Sequence, residues 1–267
     1  MGRTPDGTAF DVAGDGSPVV LIHGVGLCRE LWDATFPWFA ERHRAIRYDI
    51  YGHGESSPIP RTADLGLYAE QIVRLLDHLD LDAAHVVGFS IGGMINRRFA
   101  LDVPDRTTSL AILSSPHDRG PDGQAAVEER AATVRDHGSM ATMDAALERW
   151  FTPEHRAAHP DHEAAVRHWR AIADDESYAQ AYWVLANGVR ELIRPVRPIT
   201  CPTLVQTAEH DTGSTPAMAH AIAAEIAGSQ TVIVPGLRHL GLLERPRAVV
   251  DPVLRFLAEV DTRSGRG

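Results

Sequence analysis

The chain has 267 residues, of which 44% are hydrophobic and 23% are charged, and its formal net charge is −10. This composition is typical of a globular protein long enough for one large core, or for a core with a small cap. The acidic balance argues against nucleic-acid binding, because neutralising phosphates requires a basic face.

Short apolar runs alternate with stretches of helical periodicity along the chain. The predicted strands cover residues 18–24, 43–50, 84–90, 108–115, 202–211 and 230–236. The predicted helices cover about 64–79, 91–103, 215–227 and 246–260. This alternation predicts an α/β fold with a mostly parallel sheet, and GTAFDVAG near the N-terminus predicts an antiparallel hairpin at one edge. We expect residues 261–267 to fray.

Residues 117–195 interrupt this alternation, because they contain little β-like sequence. They are rich in Ala, Glu, Arg and His and hold three of the five tryptophans, Trp150, Trp169 and Trp183. We expect inserted helices over the carboxyl ends of the strands, where open α/β sheets bind ligands. The predicted organisation is therefore a core of residues 1–116 and 196–267 with a helical cap of residues 117–195.

The stretch VVGFSIGGM, residues 86–94, brackets Ser90 with glycines between a predicted strand and a predicted helix. Glycine is used where the backbone turns sharply or where a side chain would block a close approach. In this context the Gly-x-Ser-x-Gly pattern predicts a nucleophile, with the N-terminus of a helix directed at the chemistry.

A serine hydroxyl needs a base to accept its proton, and an acid should orient that base. His239 lies between the last predicted strand and the last helix, so its loop can bring it over Ser90. Asp211 follows the strand at 202–208 and is the predicted acid. Glu209 and Asp118 are the rivals.

The oxyanion of an acyl-transfer reaction needs backbone donors. Ile91 follows the nucleophile and supplies one N–H, and Val25 in HGVG supplies the other, with Gly26 second. His23 supports this loop rather than carrying a proton. The predicted pocket residues are Gly26, Phe89, Trp150, Trp183 and Leu240. Cys28 is either a pocket residue or a buried small side chain.

Five ordered motifs, LIHGVG, YDIYGHGESS, VVGFSIGGM, TAEHDTGSTP and RHLGLLERP, resemble those of the α/β-hydrolase superfamily. Within it the chain most resembles 3-oxoadipate enol-lactonases and related bacterial esterases. Phe89 departs from the usual Leu, and Arg238 stands where a small residue is common. The resemblance implies an α/β-hydrolase fold and agrees with the chain order Ser90, Asp211, His239.

These residues predict a serine hydrolase that cleaves a carboxylic ester or lactone of a small molecule, with water, through an acyl-enzyme. Hydrolysis of a C–C bond in a β-diketone-like substrate is the alternative, as is a non-hydrolytic member acting as a cyclase or ligand receptor. Related dehalogenases and epoxide hydrolases use an aspartate nucleophile, so Ser90 argues against both. Fold does not fix the substrate.

No cofactor or metal is expected, because the predicted triad supplies the chemistry. His155 and His159 have a spacing that could bind a metal on a helix, but solvated helix residues explain it more simply. Cys28 and Cys201 form no spaced metal motif and fit a reducing compartment. With no apolar signal segment and no uncharged run near ~18 residues, we expect a cytoplasmic protein with no membrane partner. A homodimer is left open.

Overall fold

The computed structural model describes residues 1–265. Its strands are β1 (Gly2–Arg3), β2 (Ala9–Ala13), β3 (Ser17–Ile22), β4 (His43–Tyr48), β5 (Ala84–Phe89), β6 (Thr107–Leu113), β7 (Thr203–Ala208) and β8 (Gln230–Val234). They form one sheet in the order β1-β2-β4-β3-β5-β6-β7-β8. The β1/β2 and β2/β4 pairs are antiparallel and the others are parallel. The predicted α/β fold and its edge hairpin are therefore confirmed.

The α-helices before the insertion are α1 (Phe36–Ala40), α2 (Leu65–His78) and α3 (Ile91–Asp102). The segment between β6 and β7, which includes the predicted insertion of residues 117–195, contains α4 (Gly120–His137), α5 (Met143–Trp150), α6 (Pro153–Ala158), α7 (Pro160–Ala171) and α8 (Asp175–Asn187). The last helices are α9 (Pro216–Ala224), α10 (Gly241–Glu244) and α11 (Pro246–Ser264). Short 3₁₀ turns cover Arg29–Trp32, Pro104–Arg106, Ser139–Thr142 and Gly188–Leu192. None of the described helices has the length and apolarity needed to cross a bilayer.

The sheet has apolar side chains on both faces, as its near-continuous apolar strands require. In β3, Val20 and Ile22 pack with α2 and α3, whereas Val19 and Leu21 pack with α1 and α11. This two-residue alternation assigns each strand side chain to one of two apolar clusters. Because β3 to β8 are parallel, their carboxyl ends lie at the same edge of the sheet. Residues of the segment 117–195 line the cavity at this edge.

The predicted fraying of residues 261–267 is wrong for residues 261–264, which continue α11, while residues 266–267 lie outside the described chain. Asp261 is buried, accepts a hydrogen bond from Ser17 Oγ at 2.6 Å, and lies 3.0 Å from His85 Nε2. These contacts to β3 and β5 hold the helix end against the sheet.

Candidate active site

Ser90 sits on a sharp turn between β5 and α3. Its φ of 59° and ψ of −115° are unusual for a residue with a side chain, and its N–H donates to Leu113 O at 2.8 Å. A Cβ on Gly88 would lie 2.1 Å from Gly92 O, and one on Gly92 would lie 2.7 Å from Ile22 O. The flanking glycines are thus required because helix and strand backbones meet at this turn.

The His239 imidazole lies beside the Asp211 carboxylate, and both line the same cavity as Ser90. Nδ1 of His239 donates to Asp211 Oδ2 at 2.6 Å. The other carboxylate oxygen accepts from Gly213 N and Ser214 N, each at 2.9 Å. Asp211 is therefore held on both sides, and its contact directs Nε2 of the imidazole away from the carboxylate.

The rival acids lie elsewhere. Glu209 is exposed and accepts from Gly236 N at 2.8 Å. Asp118 is also exposed and accepts from Gly120 N at 2.9 Å. Neither carboxylate lines the cavity of Ser90, so the geometry favours Asp211 as the partner of His239.

The two backbone N–H groups predicted to donate to the oxyanion are those of Ile91 and Val25. Ile91 is the first residue of α3, so its N–H lacks an intrahelical acceptor. Val25 lines the cavity, and its N–H has no acceptor among residues 1–265. Together they have the chemistry of an oxyanion hole.

The loop that carries Val25 is held by a neutral His23. Its Nδ1 donates to Gly24 O at 2.7 Å, and its Nε2 accepts from Ile50 N at 3.0 Å. Complete burial lowers the pKa of His23 to about 4. The neutral imidazole therefore supports the loop through these two hydrogen bonds, as its sequence position predicts.

The cavity is walled by the sheet edge and by the insertion. Trp150 contributes one wall, with its ring centroid 5.8 Å from that of His239. The lining residues are Val25, Ser90, Pro116, Arg119, Val127, Arg130, Arg149, Trp150, Tyr182, Leu185, Asp211, Thr212, Gly213, Ser214 and His239. The cavity wall is therefore built from both the sheet loops and the helices of residues 117–195.

Three other predicted pocket residues lie behind this lining. The Phe89 ring is 4.9 Å from the His239 ring and borders a second, smaller cavity. Gly26 packs against Arg170, and Leu240 is buried with its N–H donating to Trp150 O at 2.9 Å. Cys28 is fully buried. These residues support the wall and do not form its surface.

The prediction that Trp183 lines this pocket is wrong. Its side chain is 50% exposed and borders a separate groove with Ala179 and Gln180. Tyr182 takes the inward position on α8. Adjacent helical side chains point about 100° apart, which lets Tyr182 face the cavity while Trp183 faces solvent.

Sequence reasoning missed the arginines of the cavity, Arg119, Arg130 and Arg149. Their positions in the sequence could have indicated them, because each arginine named here is close to an apolar lining residue. Arg130 is three residues after Val127 on α4, and Arg149 precedes Trp150 on α5. Helical spacing places the first pair on one face. It does not reveal which face meets the cavity.

Candidate metal ligands lie away from the cavity. Within residues 1–265, three ligand atoms come within 4.8 Å of one another at Cys28, Glu30 and Asp49. Burial and then Glu30 raise the pKa of the Cys28 thiol, and Asp49 is paired with Arg29. The arrangement disfavours the thiolate that a metal needs.

The predicted histidine pair belongs to a surface cluster of three rings. The His155 ring stacks on that of His159 with centroids 4.6 Å apart, and His155 Nε2 lies 2.9 Å from His162 Nδ1. The rings partner one another on the insertion, and none lines the cavity of Ser90.

Comparison with known proteins gives the family. The sequence profile described as "Alpha/beta hydrolase family" matches residues 19–251. The chain belongs to this family. The alpha/beta hydrolase shares 27% identity over 250 residues with 3-oxoadipate enol-lactonase 2 of Acinetobacter baylyi, covering 90% of this chain and 91% of that one. Its placement near the enol-lactonases is confirmed.

Two further comparisons agree with this placement. The (E)-2-((N-methylformamido)methylene)succinate hydrolase of Acinetobacter baylyi is 27% identical over 236 residues, which are 88% of each chain. The crystal structure of the enol-lactonase from Burkholderia xenovorans has a TM-score of 0.85 at 25% identity, covering 94% of this chain and 96% of that one. This alpha/beta hydrolase is therefore an enzyme of the hydrolase type.

Proposed function

We propose that the protein hydrolyses a carboxylic ester or lactone of a small molecule through an acyl-enzyme on Ser90. The observation that carries this proposal is the hydrogen-bonded His239–Asp211 pair in the same cavity as the strained Ser90 turn. The relatives named as an enol-lactonase and a hydrolase support the reaction class.

In the first half-reaction, Ser90 Oγ attacks the carbonyl carbon while Nε2 of His239 accepts the hydroxyl proton. Asp211 stabilises the imidazolium through Nδ1. The N–H groups of Val25 and Ile91 donate to the oxyanion. Collapse of the intermediate breaks the C–O bond, and His239 returns the proton to the leaving oxygen. In a lactone this oxygen remains tethered to the acyl group.

In the second half-reaction, water attacks the acyl-enzyme as His239 accepts its proton. The Ser90 C–O bond then breaks, and the proton passes to Ser90 Oγ. The carboxylic acid leaves, so one water is consumed and each proton is accounted for. These steps need no group beyond the side chains and N–H groups described above.

Residues 117–195 act in this proposal as a lid that sets substrate choice. Supporting this role, residues of α4, α5 and α8 line the same cavity as Ser90. The lid is also tied to the core: Leu240 N donates to Trp150 O at 2.9 Å, and Asp174 N donates to Gly52 O at 3.1 Å.

The proposal is tested by a screen of short p-nitrophenyl esters and enol-lactones with wild type and Ser90→Ala. We expect Ser90→Ala to lower kcat about 10⁴- to 10⁶-fold with an unchanged circular dichroism spectrum. A serine-directed phosphonate should add its mass to the wild type alone. Equal labelling of the two proteins would refute Ser90 as the nucleophile, and cleavage of a β-diketone in preference to every ester would favour C–C hydrolysis.

A further inference from the structure

The surface of residues 117–195 carries a cluster of metal-ligating side chains that ester hydrolysis does not use. The cluster consists of His155 in α6, His159 at the corner between α6 and α7, and His162 in the first turn of α7. The centroids of its three imidazole rings lie 4.6, 5.0 and 5.2 Å apart. None of the rings lines the cavity of Ser90. A function of this cluster is therefore separate from the proposed reaction.

Two of the rings direct a nitrogen at each other. His155 Nε2 lies 2.9 Å from His162 Nδ1, so one of these atoms donates a hydrogen bond to the other. The sequence spacing indicates a different pair, His155 and His159, but these two rings stack with an interplanar angle of 29°. Imidazole nitrogens bind a metal in the plane of the ring, so two stacked rings do not converge on one ion. The structure therefore favours the pair that is seven residues apart.

The separation of these two nitrogens fits two ligands of one metal ion. Bonds from a metal to imidazole are about 2.0–2.1 Å long, so ligands at about 90° lie about 2.9 Å apart, whereas tetrahedral ligands lie about 3.4 Å apart. The observed distance of 2.9 Å matches the first arrangement. A metal ion in place of the shared proton would therefore require the two rings to turn, but it would not require α6 and α7 to move apart.

The backbone that carries the two histidines is held at both helices. Thr152 caps α6 by accepting from His155 N at 3.3 Å, and its own N and Oγ1 donate to Glu244 at 2.7 and 2.8 Å. Arg156 and Glu163, which directly follow the two histidines, form an ion pair between α6 and α7. The two nitrogens are therefore preorganised, because a shift of either helix would break one of these contacts.

Both histidines can be reached from solvent, since each is only partly buried. Burial lowers the pKa of His155, while the charge of Glu244 opposes this shift and that of His162 adds to it. His155 is therefore neutral at pH 7, as a metal ligand must be. The other nitrogen of His162, Nε2, lies 3.9 Å from Asp161 Oδ2. A carboxylate beside the second nitrogen of an imidazole strengthens that imidazole as a ligand.

We propose that His155 and His162 form a surface site for Ni²⁺ or Cu²⁺, with water in the remaining coordination positions. These ions bind imidazole in square-planar or tetragonal geometry, whereas Mg²⁺ and Ca²⁺ prefer oxygen ligands. The His155 ring also stacks on Phe151, with centroids 5.2 Å apart, and Phe151 directly follows the cavity residue Trp150. A bound ion would thus link α6 to α7 next to the segment that forms one wall of the cavity.

The test is isothermal titration calorimetry of NiCl₂ into the full chain, prepared without an affinity tag and freed of metal by a chelator that is then dialysed away. We expect one Ni²⁺ to bind per chain and MgCl₂ not to bind. Loss of an outer partner of a metal ligand already weakens binding about tenfold to a hundredfold. His155→Gln and His162→Gln, which each remove a ligand, should therefore raise the Kd for Ni²⁺ at least about tenfold.

His168→Gln is the matched control, because it removes a histidine from an exposed position on the same helix α7, outside the cluster. Its Kd for Ni²⁺ should equal that of the wild type. Circular dichroism and thermal unfolding without metal verify the fold of each variant. Absence of Ni²⁺ binding by the wild type would overturn the site. A loss of affinity in only one of His155→Gln and His162→Gln would also overturn it, as would an equal loss in His168→Gln.

Discussion

The pairing of Asp211 with His239 makes Asp211→Asn a decisive change, because an amide can satisfy only part of the carboxylate's contacts. Oδ2 accepts from His239 Nδ1 at 2.6 Å, while Oδ1 accepts from Gly213 N and Ser214 N at 2.9 Å. Asparagine has one acceptor oxygen and one donor NH₂. Its two orientations therefore break different contacts.

The preferred orientation of the new amide depends on how many hydrogen bonds each orientation loses. With the amide oxygen toward His239, the NH₂ would meet the two backbone N–H donors and two hydrogen bonds would be lost. With the oxygen toward the backbone, one bond is lost, at His239. Since each hydrogen bond of a neutral amide contributes about 0.5–1.5 kcal/mol, the second orientation is favoured by at least about 0.5 kcal/mol.

In the favoured orientation the amide donates to Nδ1 of His239, which then carries no proton. The proton moves to Nε2, and the imidazole can no longer accept the proton of Ser90. We expect kcat to fall about 10⁴-fold, while the two retained bonds keep the loop in place. Thermal unfolding should accordingly change little.

The assay uses two readouts, kcat on the best ester from the screen and the rate of inactivation by a serine-directed phosphonate. The second readout does not depend on knowing the substrate. Glu209→Gln is the control, because this residue is two positions away and exposed, and its carboxylate accepts from Gly236 N and lies 3.8 Å from His210 Nε2. Glu209→Gln should lower kcat and the inactivation rate less than tenfold. A larger loss in Glu209→Gln than in Asp211→Asn would refute the assignment of the acid.

Three further changes test other parts of the structure. Gly92→Ala should lower the free energy of unfolding by about 1–3 kcal/mol in urea titrations, because the new Cβ would lie 2.7 Å from Ile22 O; unchanged stability would contradict this packing. The free energy of unfolding should fall as pH drops from 6.5 to 4, since burial holds the pKa of His23 near 4 and the unfolded chain then binds the extra proton. Over this range His23 alone should account for a loss of about 3 kcal/mol in the free energy of unfolding. His23→Gln should therefore make stability depend less steeply on pH, and an equally steep dependence in that variant would contradict the buried, neutral His23. Trp150→Ala should change the kcat/KM ratio of a short and a long acyl ester about tenfold, whereas exposed Trp183→Ala should leave the ratio unchanged; equal effects would show that the lid wall is misassigned.

The apolar pattern of the chain is enough to predict the parallel sheet and the order of the candidate catalytic residues along it. Buried parallel strands such as AHVVGF in β5 are local apolar runs, and their alternation with amphipathic helices predicts crossover connections. Ser90 follows β5 directly, and Asp211 and His239 lie in the loops that follow β7 and β8. Because the carboxyl ends of parallel strands share one edge, short loops there leave little freedom in where these side chains lie.

Which side chains of residues 117–195 face Ser90 depends on how distant segments pack together. Helical periodicity gives the faces of α4, α5 and α8 but not how each helix is rotated over the cavity. That rotation puts Tyr182 inside and Trp183 outside, and it brings Arg130 and Arg149 together from separate helices. The same holds for the end of α11, where Asp261 is fixed by Ser17, 244 residues away in the sequence. Contacts between distant segments depend on packing geometry, which no local pattern in the chain encodes.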